Sequence, residues 1–252
     1  MKLRVMTWNI HSAIGPDGRY DLERVLELIR RHDPDILAVQ EIESRNRGDR
    51  PSPFAALRGH FAAHATAETL RAGDGAYGHM LLSRWPMEEE ALHDLSYPGR
   101  EPRTAISARV RTPGGYLGVI ASHLGLRWRE RRHQAARLAA LARRLHGPLV
   151  VMGDFNDWSW RGPVWRALAP VLPAVTRHRT FPAHRPLLRL DEIFCRPAPL
   201  LGPSWRDPLG REASDHLPVV AELNPAALHP SRAAEPGRKA PGPAQPAFSL
   251  SP

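Results

Sequence analysis

Several short segments of this 252-residue chain combine carboxylates, amides and histidines in ways that suit the splitting of a phosphate ester. They are Asn9, Gln40-Glu41, Ser122-His123-Leu124, Gly153-Asp154-Phe155-Asn156-Asp157, Leu190-Asp191-Glu192-Ile193 and Ser214-Asp215-His216. Carboxylates hold hard divalent cations and can deprotonate water, histidines move protons or contact a phosphate, and amides donate hydrogen bonds to developing negative charge. Each segment alone has a plainer explanation. A carboxylate after a strand usually serves a turn or a helix cap. Asn9 can hold a turn, and His123 and His216 can be satisfied structural histidines. Asp191 is harder to explain that way, because it sits within an apolar run and a lone buried charge is costly without a partner. Their joint occurrence is the signal.

These residues share a placement, at or near the ends of apolar runs that read as strands. The runs cover 3–8, 36–39, 80–82, 106–110, 117–121, 149–152, 190–194 and 217–223, each bounded by polar, Gly or Pro breaks. A helix is expected over 21–31, with Asp21 as N-cap and Leu22, Val25, Leu26, Leu28 and Ile29 as its apolar stripe. A second is expected over 129–145, burying Ala135, Leu138, Leu141, Ala142 and Leu145 and turning its many arginines to solvent. Many strands, few helices and no regular βαβ repeat point to two sheets packed face to face with helices outside.

In their order, these motifs resemble those of the endonuclease/exonuclease/phosphatase superfamily, the DNase I-like enzymes, and above all its short bacterial members. Gly-Asp-Phe-Asn with a closing Ser-Asp-His-Leu-Pro is a specific combination, and the likeness spans residues 3–223. It implies a four-layered α/β sandwich with two mixed, mainly antiparallel sheets, and a metal-dependent phosphoric ester hydrolase. Glu41 is similar to the family's principal metal carboxylate, joined by Asn9 and Asp215, and the implied ion is Mg²⁺ or Mn²⁺. Asp154 would align and deprotonate the attacking water, and Asn156 would donate to the phosphate. His216 would contact the scissile phosphate, with Asp191 holding its ring. His123 would be either a second phosphate ligand or the leaving-group acid. The segment from Tyr77 to Pro86 resembles a further family strand, with His79 where relatives often carry Asn, and Arg103 resembles a family arginine near the site. Tyr77, His79, Arg103 and Asn156 are thus expected to bind substrate.

The substrate class is less legible. No Trp-Cys-Asp-Arg-type segment marks an inositol polyphosphate 5-phosphatase, and the single cysteine, Cys195, excludes an intramolecular disulfide. A net charge of +9 with arginine far above lysine suits polyanionic partners. A nuclease is slightly favoured, ahead of a phosphatase or phosphodiesterase for lipid or small-molecule esters. A non-catalytic polyanion-binding protein is the third reading, which the complete acid–amide–histidine set disfavours. Trp158, Trp160 and Trp165, close to Arg161 and Arg166, could stack on bases or grip lipid headgroups. The plainer reading, core packing of a helix at 163–169, is preferred.

The N-terminus turns polar too early for a secretory signal, and no apolar stretch reaches the ~20 residues that span a bilayer. A cytoplasmic monomer, at most peripheral to a membrane, is expected. Residues 224–252 are rich in Pro, Ala, Ser, Gly and Arg without periodicity and read as a disordered tail after a catalytic domain of residues 1–223.

Overall fold

The computed structural model describes residues 3–45 and 52–228. In chain order the elements are β1 (Leu3–Asn9), α1 (Leu22–His32), β2 (Ile36–Glu43), α2 (Pro53–Arg58), β3 (Ala63–Ala72), β4 (Gly75–Ser83), β5 (Met87–Asp94) and β6 (Thr104–Thr112). There follow β7 (Gly115–His123), α3 (Trp128–Arg144), β8 (Leu149–Asp154), α4 (Pro163–Leu168), β9 (Ala174–Val175), β10 (Asp191–Arg196), β11 (Leu201–Arg206) and β12 (Val219–Leu223). Two six-stranded sheets result, ordered β11-β12-β1-β2-β4-β3 and β5-β6-β7-β8-β10-β9.

Strand alternation builds the layers. Successive side chains point to opposite faces, so Ile36 and Ala38 enter the core between the sheets while Leu37 and Val39 pack beneath α1 with Val25, Leu26 and Ile29. On the other sheet Val119 and Val150 face inward, and Ile120 and Val151 face α3 through Leu138, Ala139 and Ala142. Both faces of the central strands are buried, which is why those strands read as continuous apolar runs. Helix, sheet, sheet and helix are therefore stacked as the resemblance implied. Asp21 caps α1 as expected, accepting from the Glu23 and Arg24 amides. The α3 arginines are not all solvated, because Arg131 is fully buried.

The central pair of each sheet is parallel and joined by a helix: β1–α1–β2 in one, β7–α3–β8 in the other. Parallel pairs bring their C-terminal ends to the same edge. Asn9 lies beside Gln40, and His123 beside Asp154. The antiparallel β10 starts at that edge too, with Asp191 opposite Asp154.

The sequence reading missed β3, β5, β9 and β11. The Met87–Asp94 strand (MEEEALHD) at a sheet edge is largely exposed, so burial imposes no apolar pattern on it. The expected tail boundary also shifts. Pro225–Leu228 forms a short 3-10 turn, and Leu228 is buried in the inter-sheet core. The rest of the expected tail lies outside the described residues. Among those described, no helix is long and apolar enough to cross a membrane.

Candidate active site

At the shared edge the two sheets present their strand ends to one another, and local backbone geometry aims the side chains. β2 carries an irregularity against β4 between Val39 and Ile42, where Glu41 adopts φ 56°. A bulge of this kind redirects a side chain off the strand alternation. Gln40 stays buried against Thr7, and Glu41 turns toward the site. Asn156 has φ 51°, a left-handed conformation that asparagine tolerates better than most residues. Gly153 makes the preceding approach feasible, since a Cβ there would lie 1.8 Å from the Ser122 carbonyl oxygen of the adjacent β7.

The amide of Asn9 ties the two halves together. Its Nδ2 donates to Glu41 Oε1 at 2.8 Å and to Asp154 Oδ2 at 2.9 Å, while its Oδ1 accepts from the His11 amide. Asn9, expected to bind or orient the metal–phosphate unit, thus sits between two carboxylates with its nitrogen toward both. The Ser214–His216 loop is pinned to β1 as well. Trp8 Nε1 donates to the His216 carbonyl at 2.9 Å, and Ser214 Oγ donates to the Asn9 carbonyl at 2.8 Å.

Two histidines flank Asp154 in opposite electrostatic settings. His216 Nδ1 lies 2.8 Å from Asp191 Oδ2, which also accepts from the Thr180 hydroxyl, and its Nε2 is 3.9 Å from Asp154 Oδ2. Burial opposes the charged ring, but Asp191 and Asp154 outweigh it and raise the His216 pKa to about 10. His123 Nε2 lies 3.6 Å from Asp154 Oδ2 and 3.8 Å from Glu41 Oε1. Its Nδ1 faces Arg103 Nη1 and its Nε2 faces the Asn156 amide, both at 3.4 Å. Burial, reinforced by the Arg103 guanidinium, holds its pKa well below the usual value. One ring is an imidazolium and the other neutral.

The carboxylates are separated in the same way. Burial, with Asp191 alongside, pushes Asp154 up to about 7. Burial also acts to raise Glu41, but hydrogen bonding with His11 and the Asn9 amide, together with the charged His216, brings it down to about 2. His11 is the participant that sequence reasoning missed. Its Nδ1 sits 3.6 Å from both Glu41 Oε2 and Asp215 Oδ1. Nothing in its local sequence signals this, because the contact depends on a left-handed turn over His11–Ala13.

Ligand atoms of Glu41, His123 and Asp154 all lie within 4.8 Å of one another, as do those of Asp154, Asp191 and His216. The second group is already neutralised by the His216 proton. Glu41 keeps its charge at any ordinary pH, and the buried Asp215 Oδ1 has no hydrogen-bond partner. The carboxylates of Glu41 and Asp154, with Asp215 across the His11 ring from Glu41, make an oxygen-rich set that fits a hard divalent cation. Arg103 is buried beside His123 and pairs with Glu101 at 3.0 Å. Tyr77 has Glu41 and Arg103 as electrostatic neighbours. His79 is buried, with Nε2 unpartnered and Arg103 nearby. That places it below the open surface of the site.

Residues 6–216 match the sequence profile of the Endonuclease/Exonuclease/phosphatase family. The chain belongs to this family. YbhP of Escherichia coli strain K12, an uncharacterized protein, is 31% identical over 251 residues, spanning 88% of this chain and 96% of its own. An endonuclease/exonuclease/phosphatase from Beutenbergia cavernae DSM 12333 superposes with a TM-score of 0.68 at 25% identity, over 88% of this chain and 71% of that one. A mannosyl-6-phosphatase from Bacteroides thetaiotaomicron VPI-5482 shares the fold at TM-score 0.65 and 18% identity, over 88% and 99% of the two chains.

The tryptophans depart from expectation. Trp165 is partly buried against the α3 layer, in keeping with core packing, whereas Trp158 and Trp160 are exposed. In the loop between β8 and α4 only residues 158–161 are exposed, between buried Asp157 and Gly162, and these two rings lie on that exposed stretch.

Proposed function

We propose that this chain is a divalent-metal-dependent phosphoesterase that cleaves its substrate by in-line attack of water, without a covalent enzyme intermediate. The observation that carries the proposal is the setting of Asp154: a buried carboxylate poised near neutral pH, held by Asn9, between an imidazolium and a neutral imidazole. A general base works best with a pKa close to the operating pH. Asp154 orients the attacking water and accepts its proton. His216, kept charged by Asp191, donates from Nε2 to a phosphoryl oxygen. Asn156 donates one amide hydrogen to the Leu124 carbonyl, and the same nitrogen, 3.4 Å from His123 Nε2, would donate its other hydrogen to a phosphoryl oxygen once substrate is bound. Neutral His123 serves as a phosphate ligand rather than a cationic acid, while Arg103 and Tyr77 line the substrate side. Glu41 with Asp215 would hold Mg²⁺ or Mn²⁺, which when bound would neutralise charge on the phosphoryl and departing oxygens.

A positive net charge suits nucleic acid and lipid headgroups alike, so the substrate is identified by assay. Plasmid, oligonucleotide, phospholipid and phosphomonoester panels with Mg²⁺ or Mn²⁺ should show hydrolysis of at least one class. Asp154→Ala should abolish it while circular dichroism and the unfolding temperature show a retained fold. Absence of cleavage across all panels and both ions would leave the chain as a non-catalytic polyanion binder.

A further inference from the structure

Five large apolar side chains stand exposed around one flank of the candidate active site: Leu126 at 58%, Trp128 at 50%, Trp158 at 50%, Trp160 at 69% and Leu187 at 54%. They form one continuous rim. Arg131, whose guanidinium donates to the Leu126 carbonyl, lies 4.1 Å from the Trp158 ring. Trp158, Trp160 and Leu187 line a cleft of about 210 Å³, and Trp160 also lines a neighbouring cleft with Trp128. The rim adjoins the chemistry through the chain itself. Trp158 follows Asn156 by two residues, Leu126 follows Leu124 by two, and two residues span at most roughly 7 Å.

Arginines are interleaved with these side chains. Arg132 sits over Trp128 and Arg189 over Trp160, at 5.6 and 4.4 Å. Arg177, Arg179 and Arg189 line the first cleft. We infer that this rim is a docking surface for an anionic lipid bilayer, which sets the active-site mouth at the level of headgroup phosphates.

Charge complementarity and side-chain type select this occupant. Tryptophan favours the boundary between hydrocarbon and headgroups, and each arginine near an anionic surface adds attraction. Exposed leucines offer hydrocarbon and no ring face, so they suit insertion among acyl chains and add nothing to a base-stacking platform. A surface docked in this way is peripheral, in keeping with the lack of a membrane-crossing helix among the described residues.

The test uses the full chain with phosphatidylglycerol/phosphatidylcholine vesicles in chelator, so that no turnover is needed. Wild type should co-sediment with them, with tryptophan fluorescence shifted to the blue, and bind weakly to pure phosphatidylcholine. The triple variant Leu126→Ser, Trp160→Ala, Leu187→Ser should bind at least about tenfold more weakly, a difference of roughly 1.4 kcal/mol. Its hydrolysis of a soluble phosphoester should match wild type, which also reports an intact fold. The inference is overturned by wild type left in the supernatant, by equal binding of the variant, or by tighter binding to a short single-stranded oligonucleotide that the triple variant loses. A wild-type dimer that the variant converts to monomer would assign the rim to self-association instead. If no soluble ester is cleaved, the hydrolase reading fails on its own while vesicle binding still decides this one.

Discussion

Asp191 Oδ2 and His216 Nδ1 are 2.8 Å apart, both side chains almost wholly enclosed, although 25 residues separate them along the chain. That contact keeps His216 charged. Asp191→Asn preserves the shape and an acceptor for the ring but removes the charge. We expect kcat on the preferred phosphoester to fall by about 10²- to 10⁴-fold, the range lost when a proton-transfer or charge-stabilising group is disabled. KM should change much less. A kcat within a few-fold of wild type in a folded variant would remove His216 from its assigned role.

Glu41 holds its charge under all ordinary conditions and shares the His11 ring with Asp215. Chelation should therefore abolish hydrolysis, with recovery on adding Mg²⁺ or Mn²⁺. The same ions should raise the unfolding temperature, because a ligand bound only by the native state stabilises it. Glu41→Gln should raise the ion concentration for half-maximal activity by about 10²-fold and suppress the thermal shift. An undiminished shift in that variant would place the ion elsewhere.

Gly153 opens the Gly-Asp-Phe-Asn motif for a packing reason. A methyl group there would meet the Ser122 backbone oxygen at 1.8 Å, and backbone cannot swing aside as a side-chain end can. Gly153→Ala should lower stability by about 3 kcal/mol in urea unfolding, at the upper end of overpacking costs, and displace Asp154 with it. A variant as stable as wild type would show that β7 and β8 can separate freely.

His79 is buried and neutral, its pKa brought down to about 3 by burial and by Arg103. The sign follows from linkage. The unfolded chain binds a proton near pH 6.5 that the native chain refuses, so the stability tied to neutral His79 is complete above that pH and is lost as pH falls toward 3. Between pH 6.5 and 5 the loss should be roughly 2 kcal/mol. His79→Asn should flatten the stability profile over that interval in paired unfolding titrations. Parallel profiles for the two proteins would contradict the assignment.

Much of the architecture was legible beforehand because burial on both faces forces apolar runs, and the β1, β2, β7, β8 and β10 runs were visible for that reason. The Met87–Asp94 strand was not, since an exposed edge accepts MEEEALHD as readily as a loop would. The α1 cap was visible because a cap is local, a matter of Asp21 and the next three residues.

The types and order of the chemical residues, from Asn9 to His216, belong to the sequence alone, and with them the expectation of a phosphoester site. The tertiary structure alone decides that His123 is neutral and His216 charged, that His11 bridges Glu41 and Asp215, that Asn9 offers its nitrogen, and that Trp158 and Trp160 face solvent. The physical reason is range. Protonation and exposure depend on distances of a few ångströms between groups such as Trp8 and His216, which lie 208 residues apart in the chain. Periodicity and local composition carry no record of such distances.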